Sequence, residues 1–347
     1  GTDVHVVFGR EGVDEPIKTV FTRAVIRVPA VPYAIVLDGG IGYIPLQRFN
    51  ESAAQDVATA LRQLKAQGAR SYVIDVRGNP GGSLEQSLQI GDLPLEPGRG
   101  LASVRHRGPG PERFFSQRAP IIEDATVVVL VDGFSASASE IVAGSLQDHD
   151  RALVLGTPSF GKGLVQTLFP LDGGWAMKLT TGEWYTPSGR SIQGEHQQLG
   201  DGRFVEYAPD SSETDSTKKQ RPVFRSTGGR VVYGGGGITP DLIIRPDTVS
   251  SAEQAFLRAA APSGQKIYVA IYTLARELKG EVRPGFAVQS AWMERLWQEL
   301  QEAKVELTRA QFDAGSPILQ RNLEQRITSL AFGDSASFRR SVPNDAQ

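Results

Sequence analysis

The sequence predicts an α/β fold, because strand-like and helical segments alternate through the middle of the chain. Residues 35–46 and 71–76 have strand character and enclose residues 53–67, whose apolar side chains recur at helical spacing. Thr126–Val131 is an uninterrupted apolar run of strand length, and residues 138–147 after it have helical character. This alternation is typical of a parallel sheet flanked by helices, in which active sites lie where a strand leads into a helix.

The two ends of the chain differ from this middle. Residues 3–8 and 17–27 alternate in polarity around a turn, which predicts two strands of a small β unit. Residues 195–237 are polar and Gly-rich and predict a surface insertion. From residue 253 onward helix formers dominate, and the tail after Gly333 is expected to be mobile. The predicted units are 1–27, 28–250 and 251–347.

The composition excludes several classes of function. The net charge of −2 gives no general attraction to nucleic acid or anionic lipid. The chain has no cysteine, which excludes disulfides, thiolate metal sites and a cysteine nucleophile. Its four histidines are scattered without the spacing of metal ligands. No apolar run approaches the roughly 20 residues that cross a bilayer, and no signal peptide is recognisable.

Two junctions between predicted strands and the segments after them could form an active site. At residues 75–82 a strand leads into a loop with three glycines, whose N–H groups could bind a negatively charged oxygen. A plain tight turn would have the same composition. At residues 131–140 Ser137 lies on a strand-to-helix turn, where the N–H of Ala138 could be a second donor. Ser137 and Glu140 also fit a structural capping box.

A serine nucleophile needs a base, and Lys162 is the candidate. It lies between two glycines, and Gln166 would point the same way on a strand or a helix and could orient the amine. A lysine acts as a base only when its surroundings lower its pKa toward neutrality. A solvated loop lysine is the alternative interpretation. His149 is expected to be a solvated residue at a helix end.

These segments resemble the carboxy-terminal processing (tail-specific) serine peptidases. Residues 135–141 carry the Ser-Ala-Ser-Ala-Ser-Glu block of that family, and residues 160–163 with Gln166 carry its lysine segment. The resemblance implies that the middle serine, Ser137, is the nucleophile. It also implies that Lys162 is the general base and that Gln166 orients it.

The loop at 75–82 is similar to the family's oxyanion segment. By that resemblance the backbone N–H groups of Gly82 and Ala138 bind the oxyanion, with Gly81 as the nearby alternative. Further similar segments in the same order are 42–44, 178–181, 185–193 and 237–241. The resemblance covers roughly residues 1–246. It implies a crotonase/ClpP-like ββα core, a remnant of a PDZ domain in residues 1–27 whose first strands are missing from the sequence, and a helical C-terminal extension.

The family resemblance also implies a function. We expect hydrolysis of peptide bonds near the C-termini of unfolded or extended proteins, through a Ser/Lys dyad and an acyl-enzyme, without a metal or organic cofactor. The implied partners are protein or peptide substrates with a free C-terminus, and the implied location is the bacterial periplasm or cell envelope. No nucleic-acid partner is expected, and the C-terminal helices could join copies of the chain.

Three alternatives stay open from the sequence. The chain could be a catalytically silent homologue that binds peptides or other ligands, or an acyl-CoA enzyme of the related crotonase architecture. Residues 253–347 could also serve as a scaffold or oligomerisation arm alongside catalysis. The apolar residues of that region would bury either against a partner subunit or within the same chain. They are Trp292, Leu296, Leu300, Val305 and Leu307.

Overall fold

The computed structural model describes residues 1–10, 13, 15–108, 110–194, 221–245 and 249–345. The strands in these residues are β1 (Asp3–Phe8), β2 (Ile17–Thr22), β3 (Ile35–Leu37), β4 (Ile41–Pro45), β5 (Ser71–Asp75), β6 (Gly100–His106), β7 (Glu112–Phe115), β8 (Thr126–Val131), β9 (Leu153–Gly156), β10 (Leu164–Pro170), β11 (Ala176–Tyr185), β12 (Val223–Arg225), β13 (Val231–Tyr233) and β14 (Leu242–Ile243). The α-helices are α1 (Ala53–Ala66), α2 (Leu84–Asp92), α3 (Ala138–Asp148), α4 (Ser251–Ala260), α5 (Gly264–Leu278), α6 (Ser290–Glu302), α7 (Arg309–Phe332) and α8 (Asp334–Ser341).

The central sheet confirms the predicted α/β character. Its order is β14-β9-β8-β5-β4-β3, and all neighbouring pairs are parallel except β4 with β3. The sequence predicted one strand over 35–46, but the structure has two antiparallel strands there. Gly39 and Gly40, both at φ 76°, let the chain reverse between them. Because β5 and β8 are adjacent and parallel, the loops that follow them meet at one edge of the sheet.

The core of this unit lies between the sheet and its helices. On α1 the predicted helical stripe, Val57, Leu61 and Leu64, is buried. The inward residues of β8 are also buried, and every residue of α3 is inaccessible to solvent or nearly so. Each large apolar side chain buried in this way stabilises the fold by about 1.5–3 kcal/mol. This packing fixes the positions of the turns at either end of α3.

A second, antiparallel sheet has the order β10-β11-β6-β7. The outer parts of β10 and β11 form a ribbon whose apolar side chains are exposed, and Trp175 near its tip is 75% exposed. Nothing in the sequence patterns predicted this ribbon. The exposed apolar residues of the ribbon include Leu168, Phe169, Leu171, Trp175, Met177 and Leu179.

Residues before and after the core form separate pieces of structure. β1 and β2 pair as an antiparallel hairpin, and their assignment to a PDZ domain stays a prediction. Within the predicted insertion, residues 195–220 lie outside the described residues, and β12 pairs with β13 in the remainder. Among the described helices, none combines the length and apolar character needed to cross a bilayer.

Helices α4 to α7 bury their apolar faces together in a second core within the chain. The five apolar residues named above for this region, from Trp292 to Leu307, all belong to that core. Packing within the chain therefore accounts for these side chains. The tail predicted to be mobile instead contains α8, whose Phe338 stacks on Tyr43 of the central sheet.

Candidate active site

Ser137 lies on a strained turn between β8 and α3. Its backbone angles are φ 55° and ψ −111°, in a region that residues with a Cβ rarely occupy. The turn is shaped by the Asp132 carboxylate, which accepts hydrogen bonds from the N–H groups of Phe134 and Ser135, both at 3.0 Å. A strained strand-to-helix turn projects a serine hydroxyl away from the sheet. The Ser137 side chain itself makes no capping hydrogen bond.

One cavity brings together Ser137, Lys162 and Gln166 with the two residues expected to bind the oxyanion, Gly82 and Ala138. It has a volume of about 220 Å³ and lies where the loops after β5 and β8 meet the start of β10. Its lining comprises Gly82, Leu84, Ser137, Ala138, Ile141, Lys162, Leu164, Val165, Gln166, Lys178 and Trp184. A hydroxyl, two amines and several apolar side chains therefore face the same small space.

The carboxylate of Glu140 connects the serine turn to the lysine segment. Glu140 is fully buried, and its Oε2 accepts hydrogen bonds from the N–H groups of Ser137 at 2.7 Å and Lys162 at 2.9 Å. Its Oε1 accepts from the N–H of Gly161 at 2.7 Å and from the Ser159 hydroxyl at 2.6 Å. Thus one side chain holds the backbone at both ends of the proposed dyad.

Burial and hydrogen bonding act in opposite directions on Glu140. Burial raises the pKa of its carboxyl, the four hydrogen bonds lower it, and the net result is a pKa of about 7. Four donors around two oxygens suit the ionised carboxylate, which only accepts hydrogen bonds. Protonation would put a donor where a backbone N–H already points. The ionised form is therefore the one that keeps all three backbone contacts.

Lys162 is fixed through its backbone on both sides. Its carbonyl oxygen accepts a hydrogen bond of 3.0 Å from the indole Nε1 of Trp184, a ring that is 2% exposed. The next N–H, that of Gly163, donates to the Gln193 side chain at 2.8 Å. With its main chain held in this way, the half-buried lysine side chain is directed to the cavity.

Gln166 also lines the cavity, but the strand geometry differs from the prediction. Strand β10 begins only at Leu164, and its register shifts between Val165 and Gln166. The two-residue alternation from Lys162 to Gln166 is therefore interrupted by a bulge. Gln166 is exposed, so its amide is accessible from the cavity side.

The glycine loop packs directly against the serine turn. A Cβ at Gly81, whose φ is 96°, would lie 2.6 Å from the Ala136 carbonyl oxygen and 2.9 Å from the Ala138 nitrogen. At Gly82, whose φ is 153°, a Cβ would lie 2.4 Å from the Phe49 carbonyl oxygen. Both positions require glycine because of this close approach.

Within the described part of the chain, two backbone donors at the cavity have no protein partner. Over the described ranges, no atom accepts a hydrogen bond from the N–H of Gly82 or that of Ala138. Ala138 is the first residue of α3, so its N–H lies at the positive end of the helix dipole. Such a pair of free donors beside a hydroxyl can bind an oxygen on which negative charge develops.

His149 lies outside this cavity. Its Nε2 contacts the carbonyl oxygen of Gly100 at 2.6 Å and its Nδ1 contacts the Thr227 hydroxyl at 3.3 Å. His149 lies at the end of α3 as expected, but it is half-buried, so the expectation of a solvated side chain was wrong.

Residues 40–199, which include the cavity, match the family model of Peptidase family S41. This segment of the chain belongs to peptidase family S41. This finding supports the resemblance drawn from the Ser-Ala-Ser-Ala-Ser-Glu block and the lysine segment.

Curated bacterial relatives of this S41 chain carry the name carboxy-terminal processing protease. The relative from Bartonella bacilliformis is 41% identical over 198 residues, which is 56% of this chain and 45% of the relative. That from Synechocystis sp. is 38% identical over 196 residues, 55% of this chain and 45% of the relative. CtpA of Bacillus subtilis is 34% identical over 192 residues, 55% of this chain and 41% of the relative. The matched part of the chain thus spans about half the length of these relatives.

Among solved structures, the photosystem II D1 C-terminal processing protease is similar to the S41 chain. It shares 28% identity, with a TM-score of 0.42, over 55% of this chain and 53% of that protein.

Sequence reasoning missed two features that hold the S41 site together. Glu140 was recognised only as a helix-capping partner of Ser137, although it also binds the backbone of Gly161 and Lys162. The indole of Trp184 was not recognised at all. The Ser-x-x-Glu spacing was a signal for the contact of Glu140 with the Ser137 N–H. No local pattern indicates its contacts with Gly161 and Lys162.

Proposed function

We propose that the chain is a serine endopeptidase with a Ser137/Lys162 dyad. It hydrolyses peptide bonds near the C-termini of unfolded or extended proteins. The observation that carries this proposal is one cavity in which a strained serine and a lysine meet two backbone N–H groups that have no acceptor among the described residues. The match of residues 40–199 to peptidase family S41 and the names of the relatives support it.

In the proposed reaction the uncharged amine of Lys162 takes the proton of the Ser137 hydroxyl as Oγ attacks the scissile carbonyl carbon. The N–H groups of Gly82 and Ala138 bind the resulting oxyanion. Collapse of the tetrahedral intermediate breaks the C–N bond of the substrate, and the Lys162 ammonium gives its proton to the departing amine. Water then attacks the acyl-enzyme, its proton passes to Lys162, and the carboxylic product leaves as Ser137 regains its proton. Gln166 orients the lysine amine.

The cavity lining favours an apolar substrate side chain next to the scissile bond. Leu84, Ile141 and Val165 provide apolar walls, and Trp184 closes the site from the core side. A cavity of about 220 Å³ holds one side chain of moderate size and excludes a folded segment. The substrate therefore enters as an extended strand.

The wider setting follows from the relatives. Their printed names and bacterial origin support a role in carboxy-terminal processing in the periplasm or cell envelope. A PDZ domain completed around β1 and β2 would deliver free C-termini to the site. The substrates are proteins, no nucleic acid or cofactor takes part, and copies of the chain could associate through the C-terminal helices.

A serine-directed acylating probe tests the proposal. A fluorophosphonate should label the folded wild-type chain at Ser137, located by peptide mass spectrometry, because the site activates that hydroxyl. Heat-unfolded protein and the Lys162→Ala variant are the controls, and both should remain unlabelled. Lack of labelling in the folded wild type would favour a silent binding protein, whereas thioester turnover would favour a crotonase-type enzyme.

Adding a methyl group at Gly82 should lower kcat about 100-fold with little change in KM. The added Cβ would meet the Phe49 carbonyl oxygen, so the loop must move and its N–H leaves the oxyanion position. Steady-state kinetics of Gly82→Ala on a C-terminal fluorogenic peptide measure this. Gly78→Ala is the matched control, since it lies in the same loop at φ 67° and its Cβ would meet no atom within 4 Å. Equal kcat values for the two variants would contradict the role of Gly82.

A further inference from the structure

The loop that carries Gly82 is tied at its beginning to the C-terminal segment. The Arg77 guanidinium lies between the carboxylates of Asp75, at the end of β5, and Asp345. Its Nε and Nη2 bind Asp75 at 2.6 to 3.1 Å, while Nη1 and Nη2 bind Asp345 at 3.0 and 2.9 Å. The Arg77 side chain is only 22% exposed, so water screens these contacts weakly.

A second contact from the same segment acts on Asp75. The ring of Phe338, on α8, stacks on Tyr43 with centroids 3.9 Å apart and planes at 14°. The Tyr43 hydroxyl donates a 2.7 Å hydrogen bond to Asp75 Oδ2. Burial, together with the charge of Asp75, raises the pKa of Tyr43, so the phenol remains a donor. The C-terminal segment thus contacts both groups that hold Asp75.

Arg77 is the first residue of a tightly bonded loop. The N–H of Gly78 donates to the Asp132 carboxylate at 3.0 Å, and the N–H of Gly81 donates to the Asn79 side chain at 3.0 Å. The Asn79 carbonyl oxygen accepts from the N–H of Ala136 in the serine turn at 3.1 Å. These hydrogen bonds restrict the backbone of the loop. We therefore expect a displacement of Arg77 to shift Gly82 as well.

We propose that α8 and Asp345, here called the tail clamp, position the 77–82 loop through Arg77 and Tyr43. The clamp thereby sets how well the Gly82 N–H meets the oxyanion. This inference rests on the proposed peptidase function for its catalytic consequence. Asp345 and Phe338 are positioning residues, since neither lines the cavity with Ser137. Displacement of the tail by another molecule would lower the rate without blocking the cavity.

The test combines hydrogen exchange with kinetics on the full chain. In Asp345→Ala the hydrogen-bonded amides of Gly78, Asn79 and Gly81 should exchange at least about fivefold faster, and kcat should fall about fivefold to tenfold with KM unchanged. Phe338→Ala should act in the same direction through Tyr43. Asp345→Glu restores the carboxylate and should return both measurements toward wild type.

Asp313→Ala is the matched control. Asp313 is also one of two carboxylates around one guanidinium, because Arg309 binds it at 2.8 Å together with Glu294 at 2.6 Å. That cluster lies on α6 and α7, so its loss should leave the loop exchange and kcat unchanged. A similar response in Asp313→Ala and Asp345→Ala would overturn the proposal.

The remaining outcomes separate the two proposals. Unchanged loop exchange in Asp345→Ala would overturn the clamp whatever the activity does, and faster exchange at an unchanged kcat would overturn its catalytic consequence. If the wild type hydrolyses no peptide but Asp345→Ala still speeds loop exchange, the peptidase function is refuted while the clamp stands as a positioning contact.

Discussion

Replacing Ser137 with alanine is expected to lower kcat for cleavage of unfolded casein by at least about 1,000-fold. The hydroxyl is the attacking group of the proposed reaction, and nothing else in the cavity replaces it. Lys162→Ala should have a similar effect, and the double variant should be no slower than either, because residues that act as a unit lose activity non-additively. Initial cleavage rates of the three variants and the wild type measure this.

The fold should survive the Ser137→Ala change. The Ser137 side chain makes no capping hydrogen bond, and the Glu140 carboxylate still binds the backbone N–H of residue 137. Thermal unfolding of the variant should therefore stay within a few degrees of the wild type. Casein cleavage within tenfold of wild type by a folded Ser137→Ala protein would show that another group is the nucleophile.

Glu140→Gln should reduce kcat about 100-fold and also destabilise the protein by about 2 kcal/mol or more. Each carboxylate oxygen accepts two hydrogen bonds, and three of the four donors are backbone N–H groups that cannot turn away. The amide NH2 of glutamine would face donors at a fully buried position. Urea unfolding and steady-state kinetics of the same preparation measure the two effects.

Glu183→Gln is the matched control for this change. Glu183 is half-buried and accepts from two hydroxyl groups, those of Tyr185 and Ser191. Hydroxyl groups can rotate and accept from an amide, so the loss should be small. Equal losses of stability and kcat in Glu140→Gln and Glu183→Gln would show that the Glu140 carboxylate has no special role in holding the site.

The raised pKa of Glu140 predicts a pH dependence of stability. Its folded pKa of about 7 lies above the ordinary glutamate value of 4.5. Because the folded protein binds this proton more tightly than the unfolded chain does, the resulting stabilisation is fully present below about pH 4.5 and is lost as the pH rises through 7. Relative to Glu140→Gln, the free energy of unfolding of the wild type should fall by up to about 3 kcal/mol over that range. Urea titrations from pH 4.5 to 8 test this, and an unchanged difference would contradict it.

The sequence was sufficient to predict that Ser137, Ala138, Gly82, Lys162 and Gln166 share a cavity, but it did not indicate that Trp184 lines it. Ser137 and Gly82 follow strands that are adjacent and parallel, so the rule that carboxyl ends of such strands meet at one edge brings them together. Lys162 and Gln166 were placed by the family resemblance, whose spacing from the serine they match. Their roles in chemistry stay predictions until the variants are measured.

Other features depend on contacts that no local pattern contains. The Glu140 carboxylate reaches the backbone of Lys162 because the segment after β9 folds back over α3. The pair Arg77 and Asp345 joins residues 268 positions apart. The composition of the tail predicted mobility. Phe338 is held instead by stacking on Tyr43, which lies on another element and so leaves no signal in the tail sequence. Tertiary packing decided each of these cases.

The backbone at Ser137 suits glycine better than any residue with a side chain, since a φ of 55° with a ψ of −111° costs a Cβ-bearing residue about 1–3 kcal/mol. A lineage that abandoned the chemistry would gain thermal robustness by substituting glycine here, as at other positions where function and stability conflict. The residue at position 137 is therefore a marker that distinguishes active enzymes from catalytically inactive homologues of the same fold.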